Sequence, residues 1–280
     1  MLTGDLRHGC FRTKAVCVPS LDIYDHYAQS CCAYRTNMSS PVQAFLAMHP
    51  VFTHEEFTAY LAAGRERNPR TNQSLLRHYL KTNRLLRIRR GLYATVPPGM
   101  TPEAYSVDPY LLAGKMTHDA VIAYHTALEF YGKAYSVQGR FLFLTESVAR
   151  PAQFRSYRFR SVSFPRSLRR KKHIVFGVAD SETAGVNIRV TSLERTLVDV
   201  LDRPDLGGGW EEIWRSLESV EFFNLETIIA YALILGNATM IAKVGFYLDQ
   251  HRKALMVEDR HLDRLKSHRP KNPHYLVRTQ

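Results

Sequence analysis

Thr71-Asn72-Gln73-Ser74-Leu75-Leu76-Arg77-His78-Tyr79-Leu80-Lys81-Thr82-Asn83, followed at once by Leu85-Leu86-Arg87-Ile88-Arg89-Arg90-Gly91-Leu92-Tyr93-Ala94-Thr95-Val96, is the stretch that decides how this chain is read. At about 100° per residue, Leu75, Leu76, Tyr79 and Leu80 fall on one face of a helix, which must be the buried one. The opposite face presents Ser74, Arg77 and Lys81, with Arg70 at the entry and His78 and Arg84 at the margins. The period then drops to two. Leu86 and Ile88 alternate with Arg87 and Arg89, Arg90-Gly91 supplies a turn, and Leu92, Ala94 and Val96 continue the alternation on a return strand.

Two further helical patterns lie upstream. Ser39-Ser40-Pro41 reads as a helix N-cap with Pro at the first position, opening a helix from about Val42 to Met48 that Pro50 ends. Thr53-His54-Glu55-Glu56 reads as a capping box, in which the Thr53 hydroxyl and the Glu56 carboxylate each satisfy a free backbone N–H. Its helix carries Phe57, Tyr60 and Leu61 on the apolar face and closes at Gly64. A polar connection, Arg65 to Arg70 with Pro69 inside it, leads into the third helix.

Helix, helix, helix and basic hairpin is the order of a winged helix-turn-helix. In that arrangement Arg77, Lys81 and Arg70 can reach guanine O6/N7 or phosphate from the major groove, and Ser74 can contact either. Arg87, Arg89 and Arg90 would place the wing on the phosphate backbone or in the minor groove. The competing reading is a small helical domain whose charged face only keeps it in solution. Winged helices also serve as protein-interaction modules, so the fold alone does not license the function.

The charge balance points the same way. The 280 residues carry 38 Lys+Arg against 26 Asp+Glu, a formal net charge of +12 with a sequence pI near 9.6. Residues 38–96 hold nine cations against three acids, and residues 147–179 hold nine cations and no acid. The remainder is close to neutral, so the excess is two local surfaces that favour an anionic partner. The second block contains Arg150, Arg155, Arg158, Arg160, Arg166, Arg169, Arg170, Lys171 and Lys172. Tyr157-Arg158-Phe159-Arg160 alternates aromatic with basic, so a strand there would expose one cationic face. That block is read as a solvated surface, a second contact to flanking DNA, a surface for an acidic protein partner, or an RNA surface.

Length gives a soft expectation of two domains. The longest apolar run, Ile228 to Gly236, is far short of the ~20 residues that a membrane-spanning helix needs, and the first residues hold no apolar core of a secretory signal. A cytoplasmic protein with no membrane partner is expected. All four cysteines, Cys10, Cys17, Cys31 and Cys32, lie in residues 1–37 without zinc-site spacing. Residues 1–37 are expected to be a dispensable leader, either disordered or upstream of a true start at Met38.

Beyond Pro97-Pro98-Gly99 the pattern is mixed. A helix is expected over about Asp119 to Tyr131, with strands at Phe141–Thr145, Tyr157–Phe164, Ile174–Val178 and Val186–Val190. Helices follow at Ser192–Leu201, Trp210–Val220, Leu225–Leu235 and Ala238–His251. The expected fold class is therefore α+β: a winged helix-turn-helix over 38–96, a mixed α/β domain over 97–265, and a polar tail over 266–280.

No catalytic residue, cofactor or metal site emerges. His125 and Glu129 stand four apart on a helix, but no second histidine stands at ligand spacing, so a buried histidine bonded to Glu129 is the better reading. Asp180-Ser181-Glu182 suggests nuclease carboxylates, yet no lysine follows at close spacing, and a polar loop before Gly185 explains it more simply. Gly207-Gly208-Gly209 lacks the Gly-Lys-Ser/Thr of a phosphate loop and reads as a flexible hinge after Pro204. Ser192 caps a helix in which Arg195 and Asp199 are spaced for an ion pair.

The hairpin tip Arg89-Arg90-Gly91-Leu92-Tyr93, with Ala123-Tyr124-His125-Thr126-Ala127-Leu128-Glu129 and Thr191-Ser192-Leu193-Glu194-Arg195-Thr196-Leu197-Val198-Asp199, resembles the AbiEi family of antitoxins over roughly residues 40–255. The resemblance implies a non-enzymatic transcriptional repressor of a toxin–antitoxin operon. Its winged helix would bind duplex DNA at repeats in its own promoter, through Arg70, Ser74, Arg77, Lys81, Arg84, Arg87, Arg89 and Arg90. It also implies a co-encoded nucleotidyltransferase toxin that the protein counters. The alternative is a nucleic-acid-processing enzyme, a nuclease-like α/β domain targeted by a winged helix. A third reading is an RNA-binding module built on the 147–179 block.

Overall fold

The computed structural model describes residues 40–64 and 69–270. The expected leader, all four cysteines, the connection 65–68 and the tail from 271 lie outside the described residues.

Helix α1 (Pro41–Met48) starts as its sequence dictates, with Pro41 in the first turn and the Ser40 hydroxyl accepting from Gln43 N at 3.3 Å. Strand β1 (Val51–Thr53) runs straight into α2 (His54–Gly64). At their junction Thr53 N donates to Glu56 Oε2 at 2.8 Å and Glu56 N to Thr53 Oγ1 at 3.2 Å, the reciprocal capping box. Helix α3 spans Pro69–Lys81. Hairpin strands β2 (Leu85–Arg89) and β3 (Leu92–Thr95) follow, and β1 joins them in an antiparallel sheet of order β1-β3-β2. A small core of Val42, Phe45, Leu46, Phe52, Phe57, Leu61, Leu76 and Leu85 binds these elements.

The hairpin departs from simple alternation. Arg87 pairs with Tyr93 and Arg89 with Leu92, so Ile88 is the extra residue of a β-bulge. The insertion reverses the faces beyond it. Leu85 and Ile88 are buried while Leu86 is only partly so, and Arg89 turns towards the body of the protein.

A second sheet of six strands has the order β6-β7-β5-β4-β9-β8 and is mixed. Its members are β4 (Val121–Ile122), β5 (Arg140–Thr145), β6 (Ala152–Phe154), β7 (Tyr157–Ser163), β8 (Val178–Thr183) and β9 (Val186–Thr191). Pairs β4/β9 and β5/β7 are parallel and the others antiparallel. The architecture is mixed α/β, of the α+β kind expected.

Both faces of this sheet are covered, which explains the unbroken apolar run Phe141–Leu144. Phe141 and Phe143 join a core with Val51, Ile88, Leu92, Ala94 and Val96 of the hairpin side and with α4 (Pro109–Gly114). Leu142 and Leu144 face the opposite core, shared with α7 (Leu193–Asp202), α8 (Trp210–Glu218), α9 (Leu225–Leu235) and α10 (Ala238–Gln250). The remaining helices are α5 (His125–Phe130), α6 (Arg166–Lys171) and α11 (Asp259–Lys266).

Four expectations are corrected. Asp119–Tyr131 is not one helix: Val121–Ile122 form the central strand, and the chain turns at Tyr124 with φ +57° before α5. Residues 120–128 are buried all round because they pass between two cores, so no helical face was there to read. Of the strand expected over Ile174–Val178, residues 174–177 form a turn and the strand begins at Val178. Asp180-Ser181-Glu182 is part of that edge strand rather than a loop, with outward acids that discourage edge pairing. Gly207-Gly208-Gly209 is a packed corner rather than a hinge. A Cβ on Gly207 would lie 2.6 Å from Ile213, and one on Gly208 2.7 Å from both Gln138 and Glu212. Among the described residues no helix is long and apolar enough to cross a membrane.

Candidate nucleic-acid interface

Helix α3 divides as its amphipathic pattern requires. Leu76 is buried, Leu75, Tyr79 and Leu80 are half-buried, and Arg70, Ser74, Arg77, His78 and Lys81 are exposed. The stripe Arg70, Ser74, Arg77 and Lys81 recurs at steps of four and three and so lies along one side of the cylinder. The Ser74 hydroxyl donates to the Arg70 carbonyl at 2.9 Å, which leaves its lone pairs as acceptors facing outward. Arg84 is exposed in the turn after the helix, where its backbone N–H is held by the Tyr79 carbonyl at 2.9 Å.

On the hairpin, Arg87 and Arg90 are exposed and Arg89 is not. The Arg89 guanidinium donates through Nη2 to the Met116 carbonyl, tying the hairpin to the segment after α4. This corrects the placing of Arg89 on the wing surface. The bulge at Ile88 inverts the face at position 89, so a spacing of two from Arg87 no longer means the same side. Close by, Lys115 forms an ion pair with Glu56, the same carboxylate that closes the capping box.

The 147–179 block is not one surface. Arg155 sits at φ +53° between β6 and β7, donates to the Tyr105 carbonyl at 2.6 Å and to the Pro102 carbonyl, and lies 5.2 Å over the Phe154 ring. It is a clamp on the chain before α4. Arg169, Arg170 and Lys171 lie in the last turn of α6, where cations suit the helix dipole, and Lys172 is its left-handed C-cap. Lys171 Nζ donates to the Ile234 carbonyl at 2.8 Å. Arg158 and Arg160 are different. Both are exposed on β7 and share one face of it.

The buried polar groups serve the fold. His125, 1% exposed, lies between two carboxylates: Nε2 is 3.0 Å from Glu212 Oε1 and Nδ1 is 3.3 Å from Glu129 Oε1. Burial pushes its pKa down, but the bonds and charges of the two glutamates outweigh this and raise it. Glu129 was legible from its spacing to His125; Glu212, 87 residues away, was not. Glu212 also accepts from Ser136 N at 2.9 Å and Ser136 Oγ at 2.7 Å. The two glutamates contact opposite nitrogens of one ring, an arrangement that locks the imidazole rather than converging on an ion. No group of three or more His, Cys, Asp or Glu side chains among the described residues could hold a metal ion.

No family model matches this sequence, and no curated protein is significantly similar to it. Among solved structures, the crystal structure of the RV2827C protein from Mycobacterium tuberculosis is similar in fold, with a TM-score of 0.52 at 18% identity. The match covers 91% of this chain and 87% of that one. At that identity the likeness concerns the fold alone.

Proposed function

We propose that this protein binds duplex DNA in a sequence-selective way through residues 40–96 arranged as a winged helix, and acts as a transcriptional repressor. In this reading Arg77, Lys81, Ser74 and Arg70 enter the major groove, while Arg84, Arg87 and Arg90 hold the phosphate backbone. The observation that carries it is the division of α3 into a buried Leu76 side and an exposed stripe of cations and a hydroxyl, followed directly by a hairpin with two outward arginines. A helix that served only solubility would mix acids into its exposed face. Helix α3 contains no Asp or Glu at all.

The resemblance to the AbiEi antitoxins extends the proposal. The repressor would act on its own promoter and counter a co-encoded nucleotidyltransferase toxin without catalysing a reaction. Fluorescence anisotropy on the duplex upstream of its own gene, against a scrambled duplex and across a salt titration, tests the DNA reading. Selective binding that weakens with salt supports it. Equal, weak binding to both duplexes overturns it.

A further inference from the structure

A trough of about 1040 Å³ opens at the β6–β7 end of the large sheet, beside the 205–209 corner of the helical layer. Its floor is β6 and β7, and its wall is Gln138-Gly139-Arg140 with Asp205, Gly208 and Gly209. Register brings three polar side chains into one row across the floor. Gln153 pairs with Arg158 on the antiparallel side, and Arg140 pairs with Arg158 on the parallel side. Arg160 lies two residues further along β7, about 7 Å from Arg158.

Two guanidinium-bearing residues directly abreast in a sheet repel each other. Arg140 and Arg158 stand so, with Arg160 beside them, and Asp205 is the only acid in the lining. The Arg140 head group is steadied by the Asp205 carbonyl at 3.3 Å, while Arg158 and Arg160 have no side-chain partner among the described residues. An anion seated between them removes the repulsion, and guanidinium forks match phosphate oxygens two at a time. On the wall, Gly208 and Gly209 have φ of +92° and +100° and present backbone instead of side chain.

The shape selects among phosphate-bearing ligands. At about 1040 Å³ the trough lies at the upper end of the ~300–1,000 Å³ range of small-ligand pockets, and it is open rather than enclosing. Arg158 and Arg160 follow one line along β7, a course that a single backbone can track. We propose that the trough grips the phosphodiester backbone of an unpaired nucleic-acid strand laid along β7, with Arg158 and Arg160 on phosphates and Gln153 and Gln138 beside the sugars or bases. This site is separate from α3 and stands or falls independently of the duplex-binding proposal.

The test uses the full chain and a fluorescein-labelled oligothymidylate or oligouridylate of about a dozen nucleotides, followed by anisotropy across salt. The expected result is that R158Q/R160Q weakens binding by about tenfold at low salt and flattens the log–log salt slope by about 1.4, near 0.7 per lost phosphate contact. Its melting temperature should hold or rise, because a like-charge neighbour is gone; the single variants R158Q and R160Q provide the same readout in smaller steps. R77A should weaken oligonucleotide binding far less than R158Q/R160Q does, which separates this site from α3. Wild-type affinity and slope in R158Q/R160Q overturn the proposal, as does no binding by the wild type at low salt. Displacement by thymidine monophosphate at equal phosphate concentration would make it a small-phosphate site, and equal displacement by polyglutamate an acidic-protein surface. Either result overturns the unpaired-strand proposal.

Discussion

Arg195 and Asp199, one turn apart on α7, form a 3.4 Å ion pair whose side chains are 0% and 2% exposed. The guanidinium also donates to the Ile174 and Phe176 carbonyls at 2.8 and 2.7 Å, and the Asp199 carboxylate accepts from the Tyr231 hydroxyl at 2.7 Å. Arg195 therefore does more than balance a charge. It fastens the turn 174–177 to the helix by donating to two of the turn's part-buried carbonyls. A Cβ on Gly177 would lie 2.9 Å from the Arg195 Cβ, so the turn approaches the helix at glycine distance.

Removing the guanidinium while leaving the carboxylate strands a buried charge. Arg195→Leu should destabilise the protein by about 3–5 kcal/mol, the cost of breaking a buried pair on one side. Urea denaturation followed by tryptophan fluorescence measures it. A loss below about 1 kcal/mol would show that the pair is dispensable to the fold.

The His125–Glu212 contact makes stability depend on pH in a defined window. Because the glutamates raise the folded pKa of His125, its contribution is complete below the unfolded value near 6.5 and disappears as pH rises through the folded value. For Glu212 burial pushes the pKa up, but bonds from Ser136 and His125 outweigh it and lower it. Its contribution is therefore present above the ordinary carboxylate range and is lost as pH falls through the lowered value. Stability should peak between those limits. Glu212→Gln should narrow the window from its alkaline side, and melting temperature across pH 5–9 reads this out; an unshifted alkaline limb would remove His125 from the account.

Arg77→Ala should weaken promoter binding by about 1–3 kcal/mol and relax sequence preference if Arg77 reads a base edge. Replacing Arg87 and Arg90 together should weaken all sequences alike and flatten the salt slope. Anisotropy on promoter and scrambled duplexes distinguishes the two. Identical behaviour of both variants would end the division into reader and anchor.

Arg89→Ala should act on stability, not on DNA contact. Its bond to the Met116 carbonyl is partly buried, so its loss should cost about 1–3 kcal/mol. In conditions where the variant stays folded, the slope of promoter affinity against salt should match the wild type. A flattened slope would return Arg89 to the phosphate-contacting set.

Local physics made much of this protein legible from its sequence. The caps at Ser40, Thr53 and Ser192 are set by side-chain oxygens within three residues of the N–H they accept from, so spacing alone reveals them. The exposed stripe of α3 follows from a 3.6-residue period with one buried side. Helices α7 and α8 are legible for the same reason, while α9 shows as a continuous apolar run between the Asn224 cap and Gly236.

Tertiary structure decided what no local pattern carries. Residues 120–128 are buried on every side and have no period to read, so only the strands beside them assign their form. One inserted residue at Ile88 moved Arg89 from the surface to the Met116 carbonyl, because side-chain direction in a strand flips with each residue. Arg140 and Arg158 are 18 residues apart in the chain and abreast in the sheet. Their meeting depends on parallel register between β5 and β7, a long-range choice made by the buried apolar faces of both strands and not by either arginine.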